Sequence, residues 1–192
     1  MGDIILKMTG IDKRFSGVHA LKHVDFELRS GEVHALMGEN GAGKSTLMKV
    51  LCGIHSRDAG EIEYFGKQVN FANIAESQAA GISIIHQELN MMNHLTVAQN
   101  IYIGREPKKA GVYIDDRKME QDARNLFKKI GIHINPSVKL GTLTVGKQQM
   151  VEIAKALSVN ARILIMDEPT SALTAKEIDD LFRIIKDLRS KG

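Results

Sequence analysis

The eight residues from Gly38 to Ser45 constrain the fold of this chain more than any other segment. They read GENGAGKS and match the pattern G-x-x-x-x-G-K-[ST]. The apolar run at 33–37 predicts a strand before the loop, and the helical-period run from Ser45 to Leu51 predicts a helix after it. We therefore expect an α/β fold in which a phosphate-binding loop joins a strand of a parallel sheet to a helix.

The residue types in this loop suit a bound phosphate chain. Glycines at 38, 41 and 43 let the backbone curl so that successive N–H groups can point at phosphate oxygens. Lys44 would reach the β- and γ-phosphates, and the Ser45 hydroxyl would ligate Mg²⁺. A plain glycine-rich turn is the alternative, and the flanking strand and helix disfavour it. The loop predicts ATP or GTP binding.

An acidic pair follows the apolar run Ile163–Met166, which reads as a buried strand. In P-loop enzymes an acid at such a strand end holds Mg²⁺, and we assign that role to Asp167. Glu168 would polarise the attacking water as general base. Standing alone, such a pair would more often be a solvated strand end, but the phosphate loop in the same chain favours the catalytic interpretation.

Periodicity divides the remaining chain into strand-rich and helical parts. Alternating apolar residues predict strands at 4–8 and 24–28, and the short run Ile82–Ile85 predicts a buried parallel strand. We predict one domain over 1–192 with a core at 1–90 and 161–192 and an inserted helical subdomain at 91–160. An antiparallel β-subdomain is expected at the N-terminal end. Apolar positions Ile178, Leu181, Phe182, Ile185 and Leu188 predict the buried face of the last helix.

Composition excludes several classes of protein. The net charge is +3, from 26 basic and 23 acidic residues, and no dense Lys/Arg stripe suggests a nucleic-acid partner. A single cysteine, Cys52, is typical of a reducing compartment. No apolar run approaches the ~18 residues of a membrane span, and the N-terminus lacks the layout of a secretory signal. The sequence predicts a cytosolic protein whose membrane role, if any, depends on a partner.

Three further segments carry a family resemblance. The segments IIHQE at 84–88, LTVGKQQ at 143–149 and ILIMDEPTSALT at 163–174 resemble those of ABC transporter ATPase domains. Together with LTVAQNIYIGRE they look like the N-terminal ATPase domain of a sugar importer, a ribose-, galactose- or xylose-type protein that fuses two ATPase domains. The resemblance implies ATP hydrolysis that powers sugar import.

The resemblance also implies a role for individual residues. Phe15 stands at the adenine-stacking position, although a core phenylalanine is an equally good interpretation. Gln87 would contact Mg²⁺ and the water, while Thr144 and Gly146 would cap the γ-phosphate bound by an opposing domain. The nucleotide-binding loop is implied to comprise Gly38, Glu39, Asn40, Gly41, Ala42, Gly43, Lys44, Ser45 and Thr46. Catalytic roles fall on Glu168, Lys44 and Gln87, and metal ligation falls on Ser45, Gln87 and Asp167.

The cofactors that the resemblance implies are ATP and Mg²⁺. The implied partners are a second ATPase domain, membrane permease subunits and, indirectly, an extracytoplasmic sugar-binding protein, with no nucleic acid. Such a subunit would be peripheral, at the cytoplasmic face of the plasma membrane.

The sequence departs from the family pattern at Val145, Lys147 and Thr174, and it ends before the family's γ-phosphate histidine. We therefore expect an N-terminal fragment that binds nucleotide and hydrolyses it poorly. A repair or translation ABC ATPase is one alternative, but heptads and basic arms are not evident in the sequence. A purely regulatory nucleotide-binding module is another, and Glu168 argues against it.

Overall fold

The structure, a computed structural model, describes residues 2–85, 91–171 and 173–191. The chain divides into two compact units, one made of Met1–Ile82 and Ile185–Gly192 and the other of Ser83–Ile184. The predicted helical subdomain, residues 91–160, falls within the second unit, and the assignment of a single domain to 1–192 stays a prediction.

An antiparallel sheet with the strand order β2-β1-β3-β4 lies in the first unit, as predicted. Its strands are β1 (Ile4–Phe15), β2 (Val18–Arg29), β3 (Ala59–Tyr64) and β4 (Lys67–Gln68). Leu6, Met8 and Ile62 are 2% exposed or less, because alternate residues of β1 and β3 point to one buried face. The β1–β2 hairpin ends where Phe15 pairs with Val18.

Two helices belong to the same unit. Helix α1 (Lys44–Leu51) buries Leu47, Val50 and Leu51, and it contacts β2. Helix α2 (Ile74–Ala79) starts at Asn73, whose side chain accepts a hydrogen bond from the Glu76 backbone N–H at 3.0 Å. Helix α1 confirms the helix that the sequence predicts after the phosphate loop.

The strand predicted at 33–37 is wrong. Within the described residues, no strand lies between the end of β2 and the start of α1. Val33 is 55% exposed and Met37 is 88% exposed. A strand exists only where a neighbour completes its hydrogen-bond ladder, and the apolar pattern of this segment does not supply that neighbour.

The two apolar strands that the sequence predicts belong to the second unit, except for Ile82, which is assigned to the first. Strands β5 (Ile82–Ile85) and β8 (Ile163–Met166) form a two-stranded parallel sheet. Ile85 and Ile163 are buried, as expected of parallel strands. A separate small hairpin pairs β6 (Lys108–Lys109) with β7 (Tyr113–Ile114).

The remaining elements are helical: α3 (Val97–Tyr102), α4 (Asp116–Ile130), a 3₁₀ turn (Leu140–Thr142), α5 (Val145–Leu157) and α6 (Ala175–Lys191). Helix α4 has a side-chain N-cap, since the Asp115 side chain accepts a hydrogen bond from the Lys118 backbone N–H at 3.1 Å. That bond holds the pKa of Asp115 below its usual value.

The buried face of α6 agrees with the predicted one at Leu181 and differs most at Phe182 and at Ile184, which was not predicted; Ile178, Ile185 and Leu188 are half-buried. Leu181 and Ile184 are buried, whereas Phe182 is 50% exposed. Adjacent residues on a helix are about 100° apart, so residue 182 lies about 130° from the centre of a stripe through 181 and 184, well outside that stripe. None of the described helices is both long and apolar enough to span a membrane.

Candidate nucleotide-binding site

The phosphate loop, residues 38–45, lies in the first unit and leads directly into α1. Gly43 is the N-cap of α1, with φ 89° and ψ 0°, and no side chain caps this helix end. The first turn of α1 also contains no acidic residue. Backbone N–H groups at a helix start have no acceptor within the helix, and the helix dipole is positive there. The arrangement is suited to binding an anion such as a phosphate.

Gly43 is the residue of the loop that most clearly has to be glycine. Its φ of 89° is in the left-handed region, which side chains with a Cβ rarely adopt. A Cβ at this position would lie 2.6 Å from the Ala20 carbonyl oxygen and 3.0 Å from Leu21 Cδ2. Strand β2 therefore packs against the loop, and the missing side chain makes the close approach possible.

The side chain of Lys44 folds back over the loop. Its Nζ donates hydrogen bonds to the carbonyl oxygens of Gly38 at 2.7 Å and Glu39 at 2.9 Å. A turn bond from the Ala42 N–H to the Glu39 carbonyl oxygen at 3.1 Å closes the same segment. The ammonium thus already lies against neutral acceptors that a phosphate oxygen, as a charged acceptor, would outcompete.

Phe15 is not a core residue. Its side chain is 41% exposed at the end of β1. The ring makes a T-shaped contact with His55, with ring centroids 5.1 Å apart and planes at 75°. Lys13 Nζ lies over the same ring, 5.4 Å from its centroid. The exposed ring surface is available to a stacking partner, as the base-binding interpretation requires.

Two carboxylates hold the end of β1 in place. Asp58 accepts hydrogen bonds from Lys13 Nζ at 2.9 Å and from the Arg14 backbone N–H at 2.6 Å, and these bonds lower its pKa. Asp12 lies 2.9 Å from His19 Nε2. Burial raises the pKa of Asp12, but the hydrogen bond with His19 and the charges of His19, Arg14 and His23 together more than offset it, and the pKa is lowered.

Sequence reasoning did not single out His55 or Asp58. Both follow α1 in a turn that is distant in sequence from Phe15, and no local motif marks them. The pairing of β3 with β1, in which Ala59 lies opposite Asp12, brings this turn beside the end of β1. Only the sheet register carries that information.

The acidic pair lies in the second unit. The Asp167 N–H donates to the Ile85 carbonyl oxygen at 3.1 Å, so the strand ladder extends to this residue. Glu168 is exposed and adopts φ 46°, a left-handed conformation that is uncommon for a residue with a side chain. The buried side chain of Gln149 on α5 donates to the Pro169 carbonyl oxygen at 2.8 Å. The turn that carries both acids is therefore anchored to α5.

The N-terminal end of α5 is satisfied by its own chain. The Thr144 hydroxyl accepts a hydrogen bond from the Lys147 backbone N–H at 3.4 Å. Gly146 is buried, and the carboxylate of Glu177 lies against it. A Cβ on Gly146 would lie only 2.1 Å from Glu177 Oε2. Val145 is 53% exposed beside it. A larger residue at 146 would have to displace this carboxylate.

Thr174, a departure from the family pattern, has a clear local role. Glu177 Oε2 accepts hydrogen bonds from the Thr174 N–H at 2.9 Å and hydroxyl at 2.8 Å. The Glu177 N–H in turn donates to the Thr174 hydroxyl at 3.4 Å. These reciprocal bonds form a capping box at the start of α6. The T-x-x-E spacing in the sequence is a signal that could have predicted it.

Gln87, a predicted Mg²⁺ ligand, lies outside the described residues, as does Ala172 of the family-like segment ILIMDEPTSALT. Ser45 and Thr46 are half-buried in the first turn of α1, while Ser171 is exposed. Among the described residues, no cluster of three or more His, Cys, Asp or Glu side chains could hold a metal ion. Hydroxyl and carboxylate oxygens such as those of Ser45 and Asp167 are nevertheless the ligand types that Mg²⁺ prefers, alongside water and phosphate oxygens.

The sequence of this chain is similar to a known protein family and to several curated proteins. The profile of the family described as ABC transporter matches residues 21–171. The chain is 60% identical over 98% of its length to ribose/galactose/methyl galactoside import ATP-binding protein 2 of Burkholderia cenocepacia. It is 53% identical over 98% of its length to a ribose/galactose/methyl galactoside import ATP-binding protein of Albidiferax ferrireducens. The chain spans 37% and 38% of the lengths of these two proteins.

Solved structures agree with this result. A nucleotide-free ATP-binding cassette from an ABC transporter superposes with a TM-score of 0.86 at 26% identity, covering 99% of this chain and 79% of that one. The ADP conformation of MJ1267, another ATP-binding cassette, gives a TM-score of 0.83 at 27% identity, covering 99% and 78%. The predicted fold class is confirmed.

Proposed function

The chain belongs to the ABC transporter family, and on that premise we propose that it is an ATP-binding, ATP-hydrolysing domain that powers import of a sugar. One observation carries the proposal. Helix α1 begins at a glycine with φ 89° and has no side-chain cap, with Lys44 folded over the loop before it. A helix start with no side-chain cap, next to a lysine ammonium, is suited to holding the phosphates of a nucleoside triphosphate.

The residues of the loop would bind and orient the substrate. Backbone N–H groups at 38–46 would donate to phosphate oxygens, and Lys44 would exchange its two carbonyl partners for the β- and γ-phosphates. Glu168 would hold the attacking water and accept its proton. When bound, Mg²⁺ would neutralise developing charge on the phosphates, with Ser45, Asp167 and the undescribed Gln87 as its ligands. Positioning and electrostatics therefore account for the chemistry.

The family's active sites are shared between two domains, and we extend that arrangement to this chain as part of the proposal. Thr144 and Gly146 would cap the γ-phosphate of a nucleotide bound to a second ATPase domain. We expect this chain alone to bind ATP and to hydrolyse it poorly.

The proposal for the transported solute rests on the names of similar proteins and not on the geometry of the nucleotide-binding site. Proteins 53% and 60% identical to this chain carry ribose, galactose and methyl galactoside import in their names. We propose a sugar of this group as the cargo, permease subunits and an extracytoplasmic sugar-binding protein as partners, and a peripheral location at the cytoplasmic membrane face.

The test compares Glu168→Gln with the unaltered protein in the assembled transporter. We expect ATP binding to persist, since the carboxylate acts on water, and hydrolysis to fall by about 100-fold or more. Wild-type turnover in the variant would remove Glu168 from the mechanism. Failure of the chain to bind ATP by titration calorimetry would overturn the proposal itself.

A further inference from the structure

We propose that the turn at residues 53–58, here named the base-positioning turn, fixes the ring of Phe15 for a purine base, with His55 and Asp58 as positioning residues. The inference rests on the proposed function and extends it from the phosphates to the nucleobase. It is carried by contacts within the first unit only.

The first support is the ring contact between His55 and Phe15. The centroids are 5.1 Å apart and the planes meet at 75°, which is a favourable T-shaped geometry for two aromatic rings. Phe15 is 41% exposed, so a free ring there would sample several rotamers. The contact with His55 selects one orientation and leaves ring surface open to solvent.

The second support is the ion pair between Asp58 and Lys13. Lys13 Nζ lies 2.9 Å from Asp58 Oδ1 and 5.4 Å from the Phe15 ring centroid. The Lys13 side chain is only 10% exposed, so the ammonium is confined between the carboxylate and the ring. Asp58 therefore holds a cation against Phe15, and the aromatic face attracts that cation.

The base-positioning turn is tied to β1 in both directions. The Asp58 N–H donates to the Asp12 carbonyl oxygen at 2.8 Å, and the Arg14 N–H donates to Asp58 Oδ2 at 2.6 Å. These bonds fix the backbone on either side of Lys13. The position of Phe15 relative to the turn is thus set by main-chain as well as side-chain contacts.

The same turn is connected to the phosphate loop through one short helix. Helix α1 begins at Lys44, and the N–H groups of Ile54 and His55 both donate to the Lys49 carbonyl oxygen, at 2.9 and 3.2 Å. The helix therefore links the phosphate-binding end to the ring-holding end. When the ring is already held in place, binding loses less conformational entropy. The affinity for a ligand that carries a base is therefore higher.

The experiment measures binding of ATP and of inorganic tripolyphosphate to the same variants by titration calorimetry. For His55→Leu we expect ATP affinity to fall about fivefold and tripolyphosphate affinity to stay unchanged, because only ATP has a base to stack. His55→Phe keeps an aromatic ring and should retain the wild-type affinity for ATP. Asp58→Asn, which weakens the hold on Lys13, should also lower ATP affinity alone.

His34 offers a matched control. It makes a similar T-shaped contact with Phe26, with centroids 4.9 Å apart and planes at 66°, away from the end of β1. We expect His34→Leu to leave both affinities unchanged.

Each contrary outcome has a separate meaning. An equal loss of ATP and tripolyphosphate affinity in His55→Leu would show a general structural role and overturn the inference, as would no loss for either probe. Wild-type protein that binds neither probe would overturn the proposed function as well. Circular dichroism on each variant, together with the aromatic His55→Phe, separates these results from misfolding.

Discussion

The two helix ends that the sequence predicts to face nucleotide are built in opposite ways. The start of α1 has a glycine cap, no side-chain hydrogen bond and no acid in its first turn. The start of α5 is capped by the Thr144 hydroxyl, and the carboxylate of Glu177 rests on Gly146. Both ends carry the same helix dipole, so the difference arises from their neighbours.

We call the start of α1, at Gly43 and Lys44, the ready site, because no side chain of the chain caps it. We call the start of α5, at Thr144 to Gly146, the occupied site, because Thr144 and Glu177 already contact it. The end of α1 can accept an anion by exchanging only the carbonyl partners of Lys44. At α5 a carboxylate of the chain already occupies the favourable position for negative charge, and it stabilises the helix there. A phosphate from a second domain would have to displace or accommodate Glu177. We infer that binding belongs to the single chain and that the α5 end acts only when a partner reorganises it.

The largest expected effect is at the ready site. Lys44→Ala removes the side chain whose Nζ donates to the carbonyl oxygens of Gly38 and Glu39. We expect ATP affinity to fall about 100-fold, which is equivalent to about 3 kcal/mol. Lys49→Ala, in the last turn of the same helix, keeps the loop intact and serves as the control in calorimetry. Equal losses in the two variants would mean that net charge, rather than the loop, governs binding.

Paired glycine substitutions test the packing of the loop. Gly41 and Gly43 both have positive φ, 85° and 89°, but a Cβ meets nothing within 4 Å at Gly41 and the Ala20 carbonyl oxygen at 2.6 Å at Gly43. We expect Gly43→Ala to lower the free energy of unfolding by about 2 kcal/mol more than Gly41→Ala in urea titrations. Equal values would show that backbone strain alone requires these glycines.

At the occupied site a double-mutant cycle measures the contact between Gly146 and Glu177. Alanine is the better helix former by about 1 kcal/mol, so Gly146→Ala should stabilise α5 where space exists. With Glu177 present, the new Cβ displaces the carboxylate and breaks the capping box, and we expect a net loss of about 1 kcal/mol.

In the Glu177→Ala background the sign should reverse. Thermal or urea unfolding of the four proteins checks the cycle. Additive effects would show that the carboxylate does not rest on Gly146 in solution.

Local sequence patterns correctly predicted those helices and strands that are determined by residues close together in the sequence. The helix after the loop and the apolar strands Ile82–Ile85 and Ile163–Met166 were confirmed, since each depends on residues a few positions apart. The resemblance added Phe15, Thr144 and Gly146, whose roles stay predictions.

What the sequence did not predict depends on tertiary neighbours. The strand expected at 33–37 lacks a ladder partner among the described strands. The contacts of His55 with Phe15 and of Glu177 with Gly146 join residues 40 and 31 positions apart by their numbers in the sequence. No periodicity reports such pairs, because each arises only after strands and helices have packed.

The smallest effect concerns the cap that distinguishes the α5 end. The Thr144 hydroxyl receives the Lys147 N–H at 3.4 Å, a long bond, so Thr144→Ala should cost about 0.5 kcal/mol, at the low end for an N-cap. Thr144→Ser keeps the acceptor and should cost less. Because we propose that the single chain binds nucleotide through the α1 end, we expect calorimetry to find its ATP affinity unchanged in both variants. A drop in affinity for Thr144→Ala would mean that the α5 end already contributes to binding within one chain, and the separation between a ready and an occupied site would no longer hold.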